Sequence, residues 1–161
     1  MAAQHSKCFA VLYSSVPGLK VIAPYNAEDC RGSLKAAIRD DNPVVFLENE
    51  IMYGKSFPKT KEIMDENFIS TLAKAKVERE GNDVSKVTFS RKVGSALEAA
   101  EISEKDGISV EVINLRSLRP IDREAIVKTV NKTHRLVCVK EGWPQCGIAS
   151  EVCAIVMECI F

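Results

Sequence analysis

Short apolar runs alternate with amphipathic stretches along this chain, and no other feature of the sequence constrains its fold as strongly. The runs at residues 19–23, 44–47, 110–115 and 135–139 have the length and composition of buried β-strands. Several stretches between them repeat apolar residues at helical spacing. Strands that alternate with helices usually pack as parallel strands joined by crossover helices. The sequence therefore predicts an α/β architecture.

Four helices are predicted from N-terminal capping residues and from apolar stripes. The predicted caps are Asn26, Ser90 and Asp122, whose side chains suit the first turn of a helix. The predicted buried stripes are Cys30, Leu34 and Ile38; Val93, Leu97 and Ala100; Ile126, Val127 and Val130; and Ile148, Val152, Ile155 and Cys159. These stripes identify the helix faces expected to cover the sheets.

The alternation fails between residues 48 and 72, where polar and charged residues predominate, and a linker between two α/β units is predicted there. After it, residues 74–79 and 85–90 have strand character, with Gly81, Asn82 and Asp83 turning between them.

The two ends of the sequence lack the usual start and stop signals. The first residues show the pattern of neither a capped helix nor a leading strand, and residues 153–161 stop inside a predicted apolar helix. Both ends are therefore expected to be cut from a longer chain.

The charge balance argues against two classes of partner. Lys plus Arg and Asp plus Glu each number 22, so the formal net charge is zero and no basic surplus indicates nucleic acid. No apolar run approaches the roughly 20 residues that a membrane-spanning helix needs. We expect neither a nucleic-acid nor a membrane partner.

The six cysteines form no C-x-x-C pair and have no histidine at zinc-ligand spacing, and a chain of this length does not need a disulfide framework to bury a core. Those among apolar neighbours are expected to be small buried residues in a reducing compartment. These are Cys8, Cys30, Cys138, Cys153 and Cys159.

The common catalytic motifs are absent, since there is no glycine-rich phosphate loop and no G-x-S-x-G elbow. The two histidines are His5 and His134. His5 precedes an apolar stretch that can begin a helix, and the positive end of the helix dipole would keep it neutral and able to exchange a proton. The alternative is a histidine that only caps or packs. His134 precedes an apolar strand, where a surface position is expected.

Two further segments have a chemical and a purely structural interpretation. Residues 36–43 form a helix C-terminus and a turn, where unpaired carbonyls with Asp40 and Asn42 can coordinate a monovalent cation. An ordinary Asp/Asn turn is the alternative. Trp143, Pro144 and Gln145 follow a strand, where α/β proteins bind ligands. They are equally typical of a packed loop anchor.

An ordered set of segments carries a resemblance that extends over essentially the whole chain. The segments are residues 2–6 (Ala-Ala-Gln-His-Ser), 17–21, 37–40, 42–45, 47–50 (Leu-Glu-Asn-Glu), 52–54, 111–116, 118–122 and 141–145 (Glu-Gly-Trp-Pro-Gln). Together they resemble the beta subunits of thiamine-dependent pyruvate dehydrogenase decarboxylases. Branched-chain 2-oxoacid dehydrogenase beta subunits are similar, but residues 2–6 and 47–50 favour the pyruvate enzymes.

The resemblance implies a fold with two parts. Residues 1–55 would be the second half of a transketolase-type pyrimidine-binding domain, and residues 56–72 a linker. Residues 73–161 would be most of a transketolase C-terminal domain, truncated at its end. The chain thus resembles an internal fragment of the subunit.

The resemblance also implies a function. Family members decarboxylate pyruvate on thiamine diphosphate with magnesium, held between alpha and beta subunits, and pass the acetyl group to lipoamide. The implied partners are an alpha subunit, a second beta subunit and the dihydrolipoyl acetyltransferase core. The implied location is the mitochondrial matrix, with plastid stroma or bacterial cytoplasm as alternatives.

The matching site residues are few. His5 matches the family histidine that assists acyl transfer to lipoamide, and Ala37, Ile38, Asp40 and Asn42 match the structural potassium site. The glutamate that activates the cofactor would lie upstream, so no cofactor-binding residue is assigned in this chain.

Two positions depart from the family pattern. Lys140 stands where an acidic residue is frequent, and Cys146 where an aromatic one is usual. The chain by itself is expected to be inactive. The alternative function is that of a noncatalytic relative with a structural or regulatory role in a larger assembly.

Overall fold

The computed structural model describes residues 7–160, and every structural statement below refers to that range. The strands are β1 (Lys20–Ile22), β2 (Val44–Phe46), β3 (Lys76–Arg79), β4 (Val84–Thr88), β5 (Val110–Asn114), β6 (Ser117–Arg119) and β7 (Leu136–Val139). The helices are α1 (Ala10–Ser14), α2 (Ala27–Ile38), α3 (Lys61–Met64), α4 (Lys92–Lys105), α5 (Arg123–Thr133) and α6 (Ile148–Ile160). No helix in this range is both long and apolar enough to cross a membrane.

The first sheet combines strands from the two ends of the chain, in the order β2-β1-β6. Strand β1 is parallel to β2, with Val21 opposite Val45, and antiparallel to β6. Strand β6 was not among the predicted strands. Because β6 lies far along the chain, this sheet joins the first part of the chain (residues 7–55) to the second part (residues 73–160).

The second sheet has the order β3-β5-β4-β7 and a mixed direction. Strand β4 is parallel to both β5 and β7, whereas β3 runs antiparallel to β5. The α/β prediction is therefore confirmed, but the expectation of parallel strands throughout is wrong. The turn at residues 81–83 joins β3 and β4 without pairing them, because the fully buried β5 lies between them.

One hydrophobic core spans both sheets, which explains how short strands are held together. Its buried side chains include Ala10, Val21 and Ala23 from the first part and Val87, Ile113, Leu118, Ile126, Val152 and Ile155 from the second. The two parts therefore pack as one unit.

Helix α2 begins as predicted but buries a different face. The Asn26 side chain accepts a hydrogen bond from the Asp29 N–H at 2.9 Å, which confirms the cap. The predicted stripe is wrong, since Leu34 is 44% and Ile38 75% exposed. The buried face consists of Asp29, Gly32 and Ser33, because the segment after α3 approaches so closely that a Cβ on Gly32 would lie 2.0 Å from the Ser70 Oγ.

Of the other two predicted helix caps, Asp122 is confirmed and Ser90 is wrong. The Asp122 side chain accepts from the Ala125 N–H at 3.2 Å and caps α5 as predicted. Ser90 does not cap α4: its φ is +52°, and the residue before the helix is Arg91, which makes no side-chain cap. A capping serine needs an extended backbone directly before the helix, and Ser90 has neither feature.

The predicted cysteine burial holds only in part. Cys8, Cys30 and Cys138 are half-buried, whereas Cys146, Cys153 and Cys159 are exposed, and all six are free thiols. In α6 the buried face is Ile148, Val152, Ile155 and Val156, so Val156 takes the core position predicted for Cys159. The predictions for Cys153 and Cys159 are therefore wrong, because the contact face follows the spacing of Val152 and Val156.

The segment between the two parts is packed against α2. Its helix α3 is capped by Thr60 and buries Ile63. Arg31 donates to the Met64 carbonyl at 3.3 Å, and Lys35 donates to the Glu66 carbonyl at 2.6 Å. These bonds hold the segment on the helix that the first part contributes.

Candidate functional site

A cleft of about 390 Å³ lies where strands of both sheets reach their carboxyl ends. Ala23 follows β1, Asn49 lies just beyond β2, Ser90 follows β4 and Glu141 lies just beyond β7. Loops at the carboxyl ends of parallel strands commonly build ligand sites in α/β proteins, because their side chains converge there. The cleft is therefore taken as the candidate site, because loops from both sheets converge on it.

Glu141 organises the polar side of this cleft. One of its carboxylate oxygens accepts from the Arg91 Nε at 3.1 Å and lies 3.7 Å from the Lys92 ammonium. The other accepts from the Asn49 Nδ2 at 3.1 Å. Glu141 thus links the first part of the chain to the start of α4. Since it is partly exposed, the ion pairs orient these groups more than they stabilise the fold.

The loop that carries Glu141 packs closely against Cys8. Gly142 has a φ of +90°, and a Cβ on it would lie 2.8 Å from the Cys8 Cβ. The Lys140 ammonium donates to the carbonyls of Gly142, at 3.2 Å, and of Trp143, at 2.5 Å. Lys140 stands where the resembling family frequently has an acidic residue. Its hydrogen bonds to the loop carbonyls stabilise the start of this loop.

The structure places the predicted site residues as follows. His5 lies outside the described residues, although Lys7 and Cys8, which closely follow it in the sequence, line the cleft. His134 is exposed at the end of α5, as predicted. Trp143 is 73% exposed, so it does not anchor the loop by packing.

The residues predicted to bind potassium lie together at the C-terminus of α2. The Asp40 carboxylate is 2.5 Å from the Lys20 ammonium and accepts from both the backbone and side-chain nitrogens of Asn42, at 2.9 Å each. These bonds lower the pKa of Asp40 to about 2, Lys20 contributing most. Since Lys20 neutralises this carboxylate, a cation at this turn would have to be coordinated by backbone carbonyl oxygens instead of the carboxylate.

A second polar cluster joins the two parts of the chain through buried side chains. Asn114 donates to the Asp29 carboxylate and to the Glu78 carboxylate, each at 2.9 Å. Arg116 lies 3.6 Å from the other Asp29 oxygen, which has no hydrogen-bond partner. The sequence did not predict this cluster. The only signal in the sequence was the polar Asn114 at the end of a strand that also contains Glu111.

Burial raises the pKa of two acidic side chains at this cluster, Glu78 and Tyr25. Desolvation raises the pKa of Glu78, and nearby Asp29 and Glu28 raise it further, against the lowering effects of Asn114 and Lys76. Desolvation likewise raises the pKa of Tyr25, followed by the charge of Glu78. Burial in this cluster therefore disfavours the ionised form of the Glu78 carboxyl group.

Both parts of the chain match known domain families. Residues 73–161 match the family described as transketolase, C-terminal domain, and residues 1–55 match the transketolase pyrimidine-binding domain. The chain belongs to the transketolase family. This membership confirms the predicted fold class.

Within the transketolase family, this chain is similar to named pyruvate dehydrogenase subunits. It is 61% identical over 158 residues to the mitochondrial pyruvate dehydrogenase E1 component subunit beta-1 of Arabidopsis thaliana, covering 98% of this chain and 44% of that protein. It is 56% identical to the corresponding subunit beta of Dictyostelium discoideum, covering 100% of this chain and 45% of that one. The chain thus spans less than half the length of these relatives.

A solved structure shares the fold. It is described as a split-gene transketolase in an inactive beta4 tetramer, and it superposes with a TM-score of 0.78 at 27% identity. The match covers 94% of this chain and 48% of the other. The arrangement of the two parts is therefore shared with a transketolase.

The described residues of this transketolase-family chain do not by themselves fit the magnesium and diphosphate of thiamine diphosphate. No group of three acidic, histidine or cysteine side chains in residues 7–160 is placed to hold a metal ion. The carboxylates at the cleft are already bonded, Glu141 to Arg91 and Glu48 to the Tyr53 hydroxyl at 2.8 Å. A complete cofactor site would need groups beyond those described.

Proposed function

We propose that the chain is part of a pyruvate dehydrogenase beta subunit. The protein would act in thiamine diphosphate-dependent oxidative decarboxylation of pyruvate and in transfer of the acetyl group to lipoamide. The 61% identity to the Arabidopsis subunit over 98% of this chain carries the proposal. The order of the two family domains along the chain supports it.

The proposed assembly contains an alpha subunit, a second beta subunit and the dihydrolipoyl acetyltransferase core, in the mitochondrial matrix. The names of the relatives support the beta assignment and the location, since they are mitochondrial E1 beta subunits. Within the chain we propose a partial pyrimidine-binding domain at residues 1–55, a linker at 56–72 and a C-terminal domain at 73–161. Magnesium and the cofactor would be shared with the alpha subunit.

The chain's own residues would act through the cleft and through His5. His5 would hold or deliver a proton while the acyl group passes to lipoamide. The cleft supports this role because Lys7 and Cys8 line it. Glu141, held by Arg91 and Asn49, would fix the cleft wall that faces an incoming group. Potassium would act structurally at Ala37, Ile38, Asp40 and Asn42.

The test uses the native protein isolated with its partners by an antibody against peptide 59–66, whose residues are exposed except for Ile63. We expect pyruvate to reduce an artificial electron acceptor only when thiamine diphosphate and magnesium are present. Intact mass spectrometry of the same preparation should show a beta chain longer than this sequence and an alpha subunit. A marked preference for branched-chain 2-oxoacids would assign the protein to the related enzyme instead. A chain of this length without activity would indicate a structural or regulatory subunit.

A further inference from the structure

The start of helix α4 opens into the cleft without a capping group. Residues 89–92 line the cleft, and α4 begins among them. The helix has 14 residues, the Arg91 side chain at its N-terminus makes no capping hydrogen bond, and its first turn contains no acidic residue. The first backbone N–H groups of a helix and the positive end of its dipole attract anions. This end of α4 is therefore electropositive toward the cleft.

Ser90 adds a hydroxyl without a hydrogen-bond partner at the same point. The residue is only 9% exposed, and it lines the cleft. Its carbonyl accepts a hydrogen bond from the Val93 N–H at 3.0 Å, whereas its hydroxyl bonds to no other residue in the range 7–160. Removing a hydroxyl from water without giving it a hydrogen bond costs free energy. A ligand in the cleft that accepts this hydrogen bond would recover that cost.

Cationic side chains outnumber carboxylates at the cleft. Lys7, Arg91 and Lys92 line it, against Glu48 and Glu141. The Arg91 Nε and the Lys92 ammonium approach the same oxygen of Glu141, at 3.1 and 3.7 Å. The longer distance exceeds that of a hydrogen bond, so the Lys92 ammonium can still donate to a bound anion. The side chains of Arg91 and Lys92 are only 30% and 26% exposed, and this partial desolvation strengthens their attraction for an anion.

We propose that Ser90, Arg91 and Lys92 bind a small oxyanion, the phosphate or carboxylate group of a small molecule. The hydroxyl, the guanidinium and the ammonium donate charge-assisted hydrogen bonds to its oxygens. No group of three acidic, histidine or cysteine side chains in residues 7–160 is placed to hold a metal ion, so the site suits a free oxyanion better than a metal-bound diphosphate. The proposal does not depend on the decarboxylase activity proposed above.

Glu141 competes with this ligand from within the chain. One of its carboxylate oxygens already faces both cations, so an incoming oxyanion must share or displace it. The other oxygen accepts from the Asn49 Nδ2 at 3.1 Å, which holds the carboxylate in place. Removing the charge of Glu141 should therefore strengthen anion binding, whereas removing a donor should weaken it. These two changes of opposite sign are specific to the proposed site.

The test is equilibrium dialysis of radiolabelled phosphate, and separately of radiolabelled acetate, against the protein in its native assembly without thiamine diphosphate. Chloride holds the ionic strength constant, so that non-specific attraction is the same in every sample. We expect saturable binding of at least one of the two anions, with a dissociation constant of about 1 mM. A preference for phosphate would identify a phosphorylated ligand, and a preference for acetate a carboxylate ligand. Absence of saturable binding of either anion would overturn the proposal.

Three variants in the same assembly locate the site. Ser90→Ala should weaken binding about tenfold, because a hydroxyl donor to a charged group is lost. Glu141→Gln should strengthen it about tenfold, because the competing charge is removed while the shape of the side chain is kept. Ser95→Ala is the matched control and should leave the affinity unchanged, since Ser95 is exposed on the same helix. Equal affinities in wild type, Ser90→Ala and Glu141→Gln would show that the anion binds elsewhere and would refute the proposal.

Discussion

Asn114 donates a hydrogen bond to the Asp29 carboxylate at 2.9 Å, and both side chains are completely buried. Asp29 belongs to helix α2 in the first part of the chain, and Asn114 ends β5 in the second. A buried carboxylate is costly unless donors satisfy it, so this bond makes the position of α2 depend on the second sheet. The contact therefore joins the two parts of the chain through a buried polar pair.

Replacing Asn114 with alanine should lower the free energy of unfolding by about 2 kcal/mol, because Asp29 and Glu78 both lose a buried donor. Urea unfolding would measure the loss as a lower midpoint at an unchanged slope. Asn82→Ala is the control, since Asn82 is exposed. Equal midpoints for the two variants would show that the Asn114 bonds contribute nothing.

Glu78 should make the protein less stable as the pH rises. Burial raises its pKa above the ordinary 4.5, so the folded state holds the proton more tightly than the unfolded state. The contribution of Glu78 to stability is therefore greatest below about pH 4.5 and falls as the pH rises through its folded-state pKa. Glu78→Gln should raise the melting temperature near pH 7, and this gain should vanish below about pH 4.5.

The matched control for Glu78 is Glu104→Gln. Glu104 is 68% exposed and pairs with Arg79, so its replacement should change stability by less than about 0.5 kcal/mol near pH 7. A Glu78→Gln variant that is less stable than wild type near pH 7 would mean that Lys76 outweighs the burial of the carboxylate.

Gly81→Ala should destabilise the second sheet by about 3 kcal/mol, because the new Cβ would lie 2.1 Å from the Val110 carbonyl carbon, which is backbone. Gly54→Ala is the matched control, since no atom lies within 4 Å of its added Cβ. Thermal unfolding of both variants would compare them. A normal melting temperature for Gly81→Ala would show that the β3–β4 turn shifts easily away from β5.

His5→Gln in the assembled enzyme should reduce acyl transfer to lipoamide about 100-fold while sparing decarboxylation measured with an artificial acceptor. The physical reason is the loss of a proton-exchanging imidazole at the proposed transfer site. His134→Gln is the control, because His134 is exposed at the end of α5. Equal loss of both half-reactions in His5→Gln would assign His5 a structural role.

Potassium should raise the melting temperature relative to sodium at equal ionic strength, since the larger ion suits a site of carbonyl oxygens at the end of α2. Asp40→Ala should abolish this difference, because the Asp40 carboxylate holds the turn through the Asn42 N–H at 2.9 Å. Asp65→Ala is the control: Asp65 makes the same bond to the Asn67 N–H, at 2.7 Å, in another exposed turn. The same melting temperature in both salts would remove potassium from this site.

The candidate site was only partly predictable from the sequence. Asp40 and Asn42 lie in one turn, so their neighbourhood follows from local sequence. Glu141 belonged to the resembling segment at residues 141–145, but its partners Asn49 and Arg91 lie at distant positions of the chain. Contacts of this kind depend on which strands become neighbours, and no local pattern encodes that.

The sequence alone determined the α/β class, the caps at Asn26 and Asp122 and the core positions of Val93, Ile126 and Val152, because these depend on local spacing and hydrogen bonding. Only the tertiary structure decided that β6 joins the first sheet, that Leu34 and Ile38 face outward and that Asp29 is buried against Asn114. An apolar stripe shows that a helix can bury one face. Which face is buried, and against what, depends on the shape and polarity of the surface that meets it.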